Sequence, residues 1–234
     1  MRKIAMRLVF ALICLALVAA PAWAGWVQVE KEGEKLLISQ GRIKTVPEDP
    51  AEGWTVMDFK KGQILVVNPQ DRTYAQATLQ QFCQTMQQFV SQMKAMAGKK
   101  AEAEPKAVKV EVVKQGSGGK IAGFNCTKYR VLADGRLKEE VWLTTEPEFV
   151  KEFDPGLLSK MIGCAAERGE VESSPAYQQL ISSGWVLRAI TNDNGQPEAE
   201  TDVISLKKED ISEDEFRVPQ GYRQITLDEA LKAE

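Results

Sequence analysis

Catalysis needs side chains that move protons, hold metals or attack carbonyl carbons, and this 234-residue sequence contains no histidine. That absence removes Ser-His-Asp and Cys-His activation, imidazole acid–base catalysis, and the ligand on which most zinc and iron sites depend. Carboxylates are plentiful but poorly spaced for chemistry. Glu139 and Glu140 are adjacent on a predicted strand, so they point to opposite faces and cannot share a substrate, while Glu152 and Asp154 read as solvated surface. Asp193-Asn194-Gly195 lacks the ligand pattern of a calcium loop and is explained as a hairpin turn. Gly116-Ser117-Gly118-Gly119 has neither the strand-to-helix setting nor the Lys-Ser/Thr ending of a phosphate loop, and reads as a flexible turn. The expectation is a non-enzyme with no catalytic residue, no metal and no cofactor.

Beyond the N-terminal segment that holds Cys14, the cysteines are Cys83, Cys126 and Cys164. No C-x-x-C occurs, so thiol–disulfide catalysis is not expected. An odd count in an oxidising compartment suggests one disulfide and one free thiol. Cys126 with Cys164 is the preferred pair, because Cys83 falls on the apolar stripe of a predicted helix, where a cysteine behaves as a small hydrophobe. Spacing alone leaves the other two pairings open.

That helix, predicted over Thr78 to Ala97, carries Leu79, Phe82, Cys83, Met86, Phe89, Val90 and Met93 at three- and four-residue steps on one face. The opposite face is mostly glutamine. Two readings stay open. It is an ordinary core-facing helix, or its Phe and Met side chains wall an apolar cavity where flexible thioethers adapt to varied ligands. The candidate ligand-binding residues on the second reading are Phe82, Met86, Phe89 and Met93, joined by Trp142 and Trp185.

Arg2, Lys3 and Arg7 precede an apolar run from Leu8 to Ala20, which ends in Pro21-Ala22-Trp23-Ala24. This is the pattern of a cleavable signal peptide over residues 1–24, with cleavage between Ala24 and Gly25. The run is shorter than the roughly 20 apolar residues of a spanning helix, so no integral membrane segment is expected after cleavage. Cys14 follows Leu12-Ile13 rather than a small residue, which argues against a lipid-modified cysteine. The expected address is the periplasm, with secretion beyond it left open. Against 33 Asp and Glu stand 30 Lys and Arg, and the leader takes three of the basic residues with it. That balance disfavours nucleic acid and anionic lipid surfaces as partners.

Residues 25–234 read as a single α+β domain. Trp26–Val29, Lys35–Ser39, Trp54–Phe59, Gln63–Val67 and Thr73–Ala75 are strand-like runs separated by turn residues, a meander. Val108, Val110 and Val112 alternate with charged residues. Asp134-Gly135 and Asn194-Gly195 each lie between β-rich runs, the strongest short hairpin signals in the chain. Helical segments are expected within Glu146 to Ala166, at Pro175 to Ser182 and at Leu227 to Lys232, and Phe216-Arg217-Val218-Pro219 reads as a last edge strand. About ten or eleven strands with inserted helices imply a curled antiparallel sheet, a half-open β-barrel with helices covering its concave face.

Four strings, in this order and spacing, resemble a bacterial envelope family catalogued as domain of unknown function 4412. They are Asn68-Pro69-Gln70-Asp71-Arg72-Thr73-Tyr74, Ile121-Ala122-Gly123-Phe124-Asn125-Cys126-Thr127-Lys128-Tyr129, Glu140-Val141-Trp142 and Phe216-Arg217-Val218-Pro219-Gln220-Gly221-Tyr222. That resemblance brings no catalytic residues. More distantly, a meander with an Asn-Pro turn followed by a helix is similar to LolA/LolB-type lipoprotein carriers, and implies a half-open barrel over an apolar cavity that holds acyl chains. The expected function is a non-enzymatic binder or carrier of a lipid or lipoprotein acyl chain, each buried methylene contributing about 0.8 kcal/mol. The alternative is an envelope interaction module that binds a protein partner without a small ligand.

Overall fold

Residues 22–96, 108–154, 156–157, 171–193 and 196–232 are described by a computed structural model of the chain. The meander forms as its alternation demands. Strands β1 (Ala22–Glu30), β2 (Lys35–Ser39), β3 (Arg42–Val46), β4 (Trp54–Asp58), β5 (Gln63–Asn68) and β6 (Thr73–Thr78) each pair antiparallel with the next. Helix α1 (Leu79–Met96) starts from a reciprocal cap: Gln81 N donates to Thr78 Oγ1 at 3.1 Å, and Thr78 N donates to Gln81 Oε1 at 2.9 Å.

The second block holds β7 (Val110–Ile121), β8 (Phe124–Ala133), β9 (Arg136–Thr144), β10 (Trp185–Asp193) and β11 (Gln196–Ser212), with helix α2 (Pro175–Ser182) ahead of β10. β12 (Arg223–Gln224) and helix α3 (Leu227–Lys232) follow. All twelve strands join one open sheet in the order β12-β6-β5-β4-β3-β2-β1-β11-β10-β9-β8-β7. Among the described strands, only β12 with β6 is parallel. The two blocks meet where β1 pairs with β11, from Ala22 opposite Ser212 to Glu30 opposite Val203. β1 thus begins ahead of the Ala24-Gly25 junction.

Alternation gives the sheet two apolar faces. On one, Trp26, Ile38, Ile43, Ile64, Trp185, Leu187, Val203 and Leu206 form the main core. A 3-10 turn, Glu148–Glu152, drops Phe149 onto the seam between the blocks. Phe149 is 1% exposed, with its ring 5.5 Å from Trp26 of β1 and 5.0 Å from Trp185 of β10. Phe153 continues the cluster to Phe59 at 5.1 Å. Glu152 Oε2 accepts from Gly41 N at 2.9 Å and fastens the turn to the β2–β3 hairpin. Beneath it, Trp185 Nε1 donates to the buried Gln28 Oε1 at 2.7 Å.

The opposite face is covered in two places. Val131, Val141 and Leu143 pack under Tyr177, Leu180 and Ile181 of α2. Val56 and Ile211 pack with Phe216 of the 3-10 turn Glu213–Phe216. Arg42 grips Glu213 through two hydrogen bonds of 2.8 and 2.7 Å and stacks 4.3 Å over the Phe216 ring.

Three expectations need correction. Gly116-Ser117-Gly118-Gly119 is not a turn: it lies inside β7, where register shifts between Lys114 and Gly116 and between Ser117 and Lys120 mark bulges, and Gly116 and Gly119 take φ of +101° and +76°. The reversal comes later, at Ala122-Gly123. Phe216–Pro219 is not an edge strand, because burying the Phe216 ring against Val56 and Ile211 holds this segment on the sheet's face. The helices do not share one face either, since α2 packs on the face opposite Phe149. The Asn194-Gly195 turn and most of the helix expected up to Ala166 lie outside the described residues.

The Gln28–Trp185 bond gives a direct test. Gln28→Leu leaves the buried indole N–H without an acceptor, which costs about 1–3 kcal/mol. Urea unfolding should show a lowered midpoint with an unchanged slope.

Candidate functional site

A meander brings alternate strand ends together, and at one such end the chain leaves a cleft. The end of β3, the start of β4, the end of β5 and the start of β6 supply Thr45, Thr55, Val66 and Thr73. Because the cleft lies at the strand ends, Trp54, Val67 and Tyr74 from the other alternation reach it too. Its volume is about 520 Å³.

Local sequence shapes each wall. Asp49 Oδ1 accepts from Ala51 N at 2.9 Å and starts the 3-10 turn Pro50–Glu52. Gly53 follows at φ +112°, and a Cβ there would stand 2.8 Å from Val67 O, so only glycine lets this loop pass so close to β5. Asn68 Oδ1 accepts from Asp71 N at 3.0 Å and makes the β5–β6 turn. The outer wall is the C-terminal segment. Arg223 N donates to Arg72 O at 2.9 Å and Ile225 N to Tyr74 O at 2.8 Å. Thr226 and Glu229 cap α3, with Thr226 N donating to Glu229 Oε2 at 2.8 Å and Glu229 N to Thr226 Oγ1 at 3.3 Å. Ile225 and Ala230 then face the cleft. Glu34 and Glu52 are its charged lining residues. Burial, and secondarily Glu30, hold the Glu34 carboxyl above its usual range.

Of the six residues expected to line an apolar cavity, Trp185, Phe82 and Trp142 meet at the main core, and Phe89 lies elsewhere against α3. Trp185 is 9% exposed and enclosed by Phe149, Phe153 and Gln28, in solid core. Trp142 is half-buried on β9, with Lys128 Nζ 4.5 Å from its ring centre. Phe82 packs against the main core. Met86 is half-buried, and Phe89 touches α3 in a crevice of only about 40 Å³. The side chain of Met93 lies outside the described residues. None of the clefts above holds more than Phe89 of this set. The lining found instead was invisible in sequence, because Ile225 and Ala230 reach it from some 150 residues beyond β6. The local signals were the two prolines Pro47 and Pro50 and the Asn68-Pro69 turn.

The expected Cys126–Cys164 disulfide does not form. Cys126 is a free thiol, 5% exposed in the main core, and burial pushes its pKa up. Its Sγ donates toward Phe124 O at 3.5 Å. Cys83 is the disulfide-bonded residue. It is half-buried on α1, where a second cysteine can reach it, whereas core packing around Cys126 leaves no such approach. Cys164 lies outside the described residues.

One buried acid stands apart from the cleft. Glu139 lies under α2 at 5% exposure and accepts from Tyr177 Oη at 3.4 Å. Burial pushes its pKa up to about 7; the Tyr177 hydrogen bond works against this, while Glu200 and Glu172 add to it. Glu140, its neighbour, lies on the other face and pairs with Lys128 at 2.8 Å, as alternation requires. Among the described residues, no group of three or more His, Cys, Asp or Glu side chains is placed to hold a metal ion, and no helix is long and apolar enough to cross a membrane.

The profile of the family described as Domain of unknown function (DUF4412) matches residues 39–222. No curated protein matches the chain in sequence. The strands that floor the cleft fall within the matched segment, and α3 lies beyond it.

Two measurements follow from these side chains. Unfolded, Glu139 titrates near 4.5, and folded near 7, so its stabilising contribution is full below 4.5 and is lost as pH rises through 7. Unfolding free energy should fall by about 2–3 kcal/mol between pH 5 and pH 8 from this group, and Glu139→Gln should flatten that part of the profile. Peptide mapping without reductant should recover Cys83 in a cystine, and Cys126 should react with iodoacetamide only after denaturation.

Proposed function

The chain belongs to the family described as Domain of unknown function (DUF4412), and from that premise we propose that it is an exported, non-enzymatic periplasmic protein that binds the apolar arm of a small amphiphile in the cleft beneath α3. The observation that carries this reading is the cleft itself. At about 520 Å³ it falls in the size range of small-molecule sites, and Pro47, Val66 and Ile225 give it apolar surface among hydroxyls and amides. We read the open sheet as a half-open barrel of the LolA type, with cargo seated at the end of the meander rather than under α1. The solid packing of Trp185 and Phe149 favours this placement, because a cargo on the main core face at the seam would have to displace them.

An interaction module is the second reading, favoured by β7. This twelve-residue strand forms one edge of the sheet and exposes Val113. Lys109, Lys114 and Lys120 and the two bulges guard that edge, which weakens it as a site of strand addition.

Native mass spectrometry of the protein purified gently from the periplasm tests the proposal. A protein beginning at Gly25 with a lipid-like adduct, recovered by organic extraction and lost in Ala230→Trp, which fills the cleft, is the expected result. An empty wild-type protein that also fails to take up a decyl amphiphile would move the function to the β7 edge.

A further inference from the structure

We infer that the cleft selects amphiphiles whose polar end is a cation, an amine or a quaternary ammonium; this rests on the cleft being the binding site proposed above. The charged side chains that line it are Glu34 and Glu52, with no lysine or arginine among the lining residues. Neither carboxylate has an ion pair or a side-chain hydrogen bond among the described residues. Another acid, Glu30, acts on Glu34 from the same hairpin, and burial raises the Glu30 carboxyl as it does that of Glu34.

The cation that stands over the lining residue Trp54 is already committed. Lys44 stands 4.2 Å over the Trp54 ring, but it is only 8% exposed and held by Glu215 at 2.8 Å on the Phe216 face. An anionic headgroup entering the cleft would therefore meet negative charge and no cationic lining residue. A cationic headgroup would meet two free carboxylates and the aromatic side chains of Trp54 and Tyr74, while its chain lay against Pro47, Val66 and Ile225. Shape alone would admit either; charge separates them.

Calorimetric titration of residues 25–234 with decyltrimethylammonium, decyl sulfate and decyl maltoside, each below its micelle concentration, tests this. The ammonium should bind about tenfold or more tightly than the sulfate, and the ratio should shrink in roughly 0.5 M salt as screening shortens the reach of the carboxylates. In Glu34→Gln/Glu52→Gln the ratio should fall to about threefold or less, with maltoside binding unchanged. The salt series on the wild-type protein carries the test if that double variant does not fold. Sulfate binding as tightly as ammonium, with maltoside still bound and blocked by Ala230→Trp, would overturn the charge selection and leave the cleft reading standing. No binding of any of the three, or binding that Ala230→Trp leaves intact, would remove both.

Discussion

The architecture depends on one apolar plug. Phe149, set down by the short turn Glu148–Glu152, touches Trp26 on β1 and Trp185 on β10, so a single buried ring spans the junction between two blocks of sheet far apart in sequence. Without it, the β1–β11 ladder would be a line of backbone hydrogen bonds with one face open to water. The aromatic pairs around it add to area burial through tilted and edge-to-face geometry. The Gln28–Trp185 bond removes the polar cost of placing two amphipathic side chains there.

Solidity at the seam decides where empty space is left. A twelve-stranded open sheet cannot be covered everywhere by so few helices: the plug covers the seam, α2 covers the opposite face near β7 and β10, and α1 lies against β5 and β6. What remains is the end of the meander, where the parallel addition of β12 to β6 brings the C-terminal segment back as a wall. The cleft is thus a by-product of covering priorities: apolar area is buried first at the centre, and the polar, threonine-lined strand ends are left accessible.

The open sheet also has two edges to protect. β12 is only two residues long, and β7 carries lysines and glycine bulges along its length. On the Phe216 face, the ion pairs of Arg42 with Glu213 and Lys44 with Glu215 do similar protective work by pinning a 3-10 turn over Val56 and Ile211. Arg42 holds the Glu213 carboxyl below its usual range through those hydrogen bonds, the mark of a pair that is partly shielded from water.

The sequence by itself determined what depends on neighbours along the chain. Alternation placed five of the six meander strands but not β3 (Arg42–Val46), the three- and four-residue period placed α1 within a residue or so of its ends, and Asp134-Gly135, both at positive φ, turned the β8–β9 hairpin as expected. The four strings beginning at Asn68 pointed to the family whose profile matches residues 39–222. Only tertiary structure decided what depends on distant partners. Glycines at 116–119 bulge a strand instead of ending it because β8 pairs on both sides of them. Cys126 stays a free thiol because the core closes around it. Trp185 became core rather than cavity wall because Phe149 and Gln28 reach it, and the cleft exists because Ile225 and Ala230 return to β6. Local periodicity fixes which face of an element is apolar; it carries no information about which other element arrives to bury that face, or where none does.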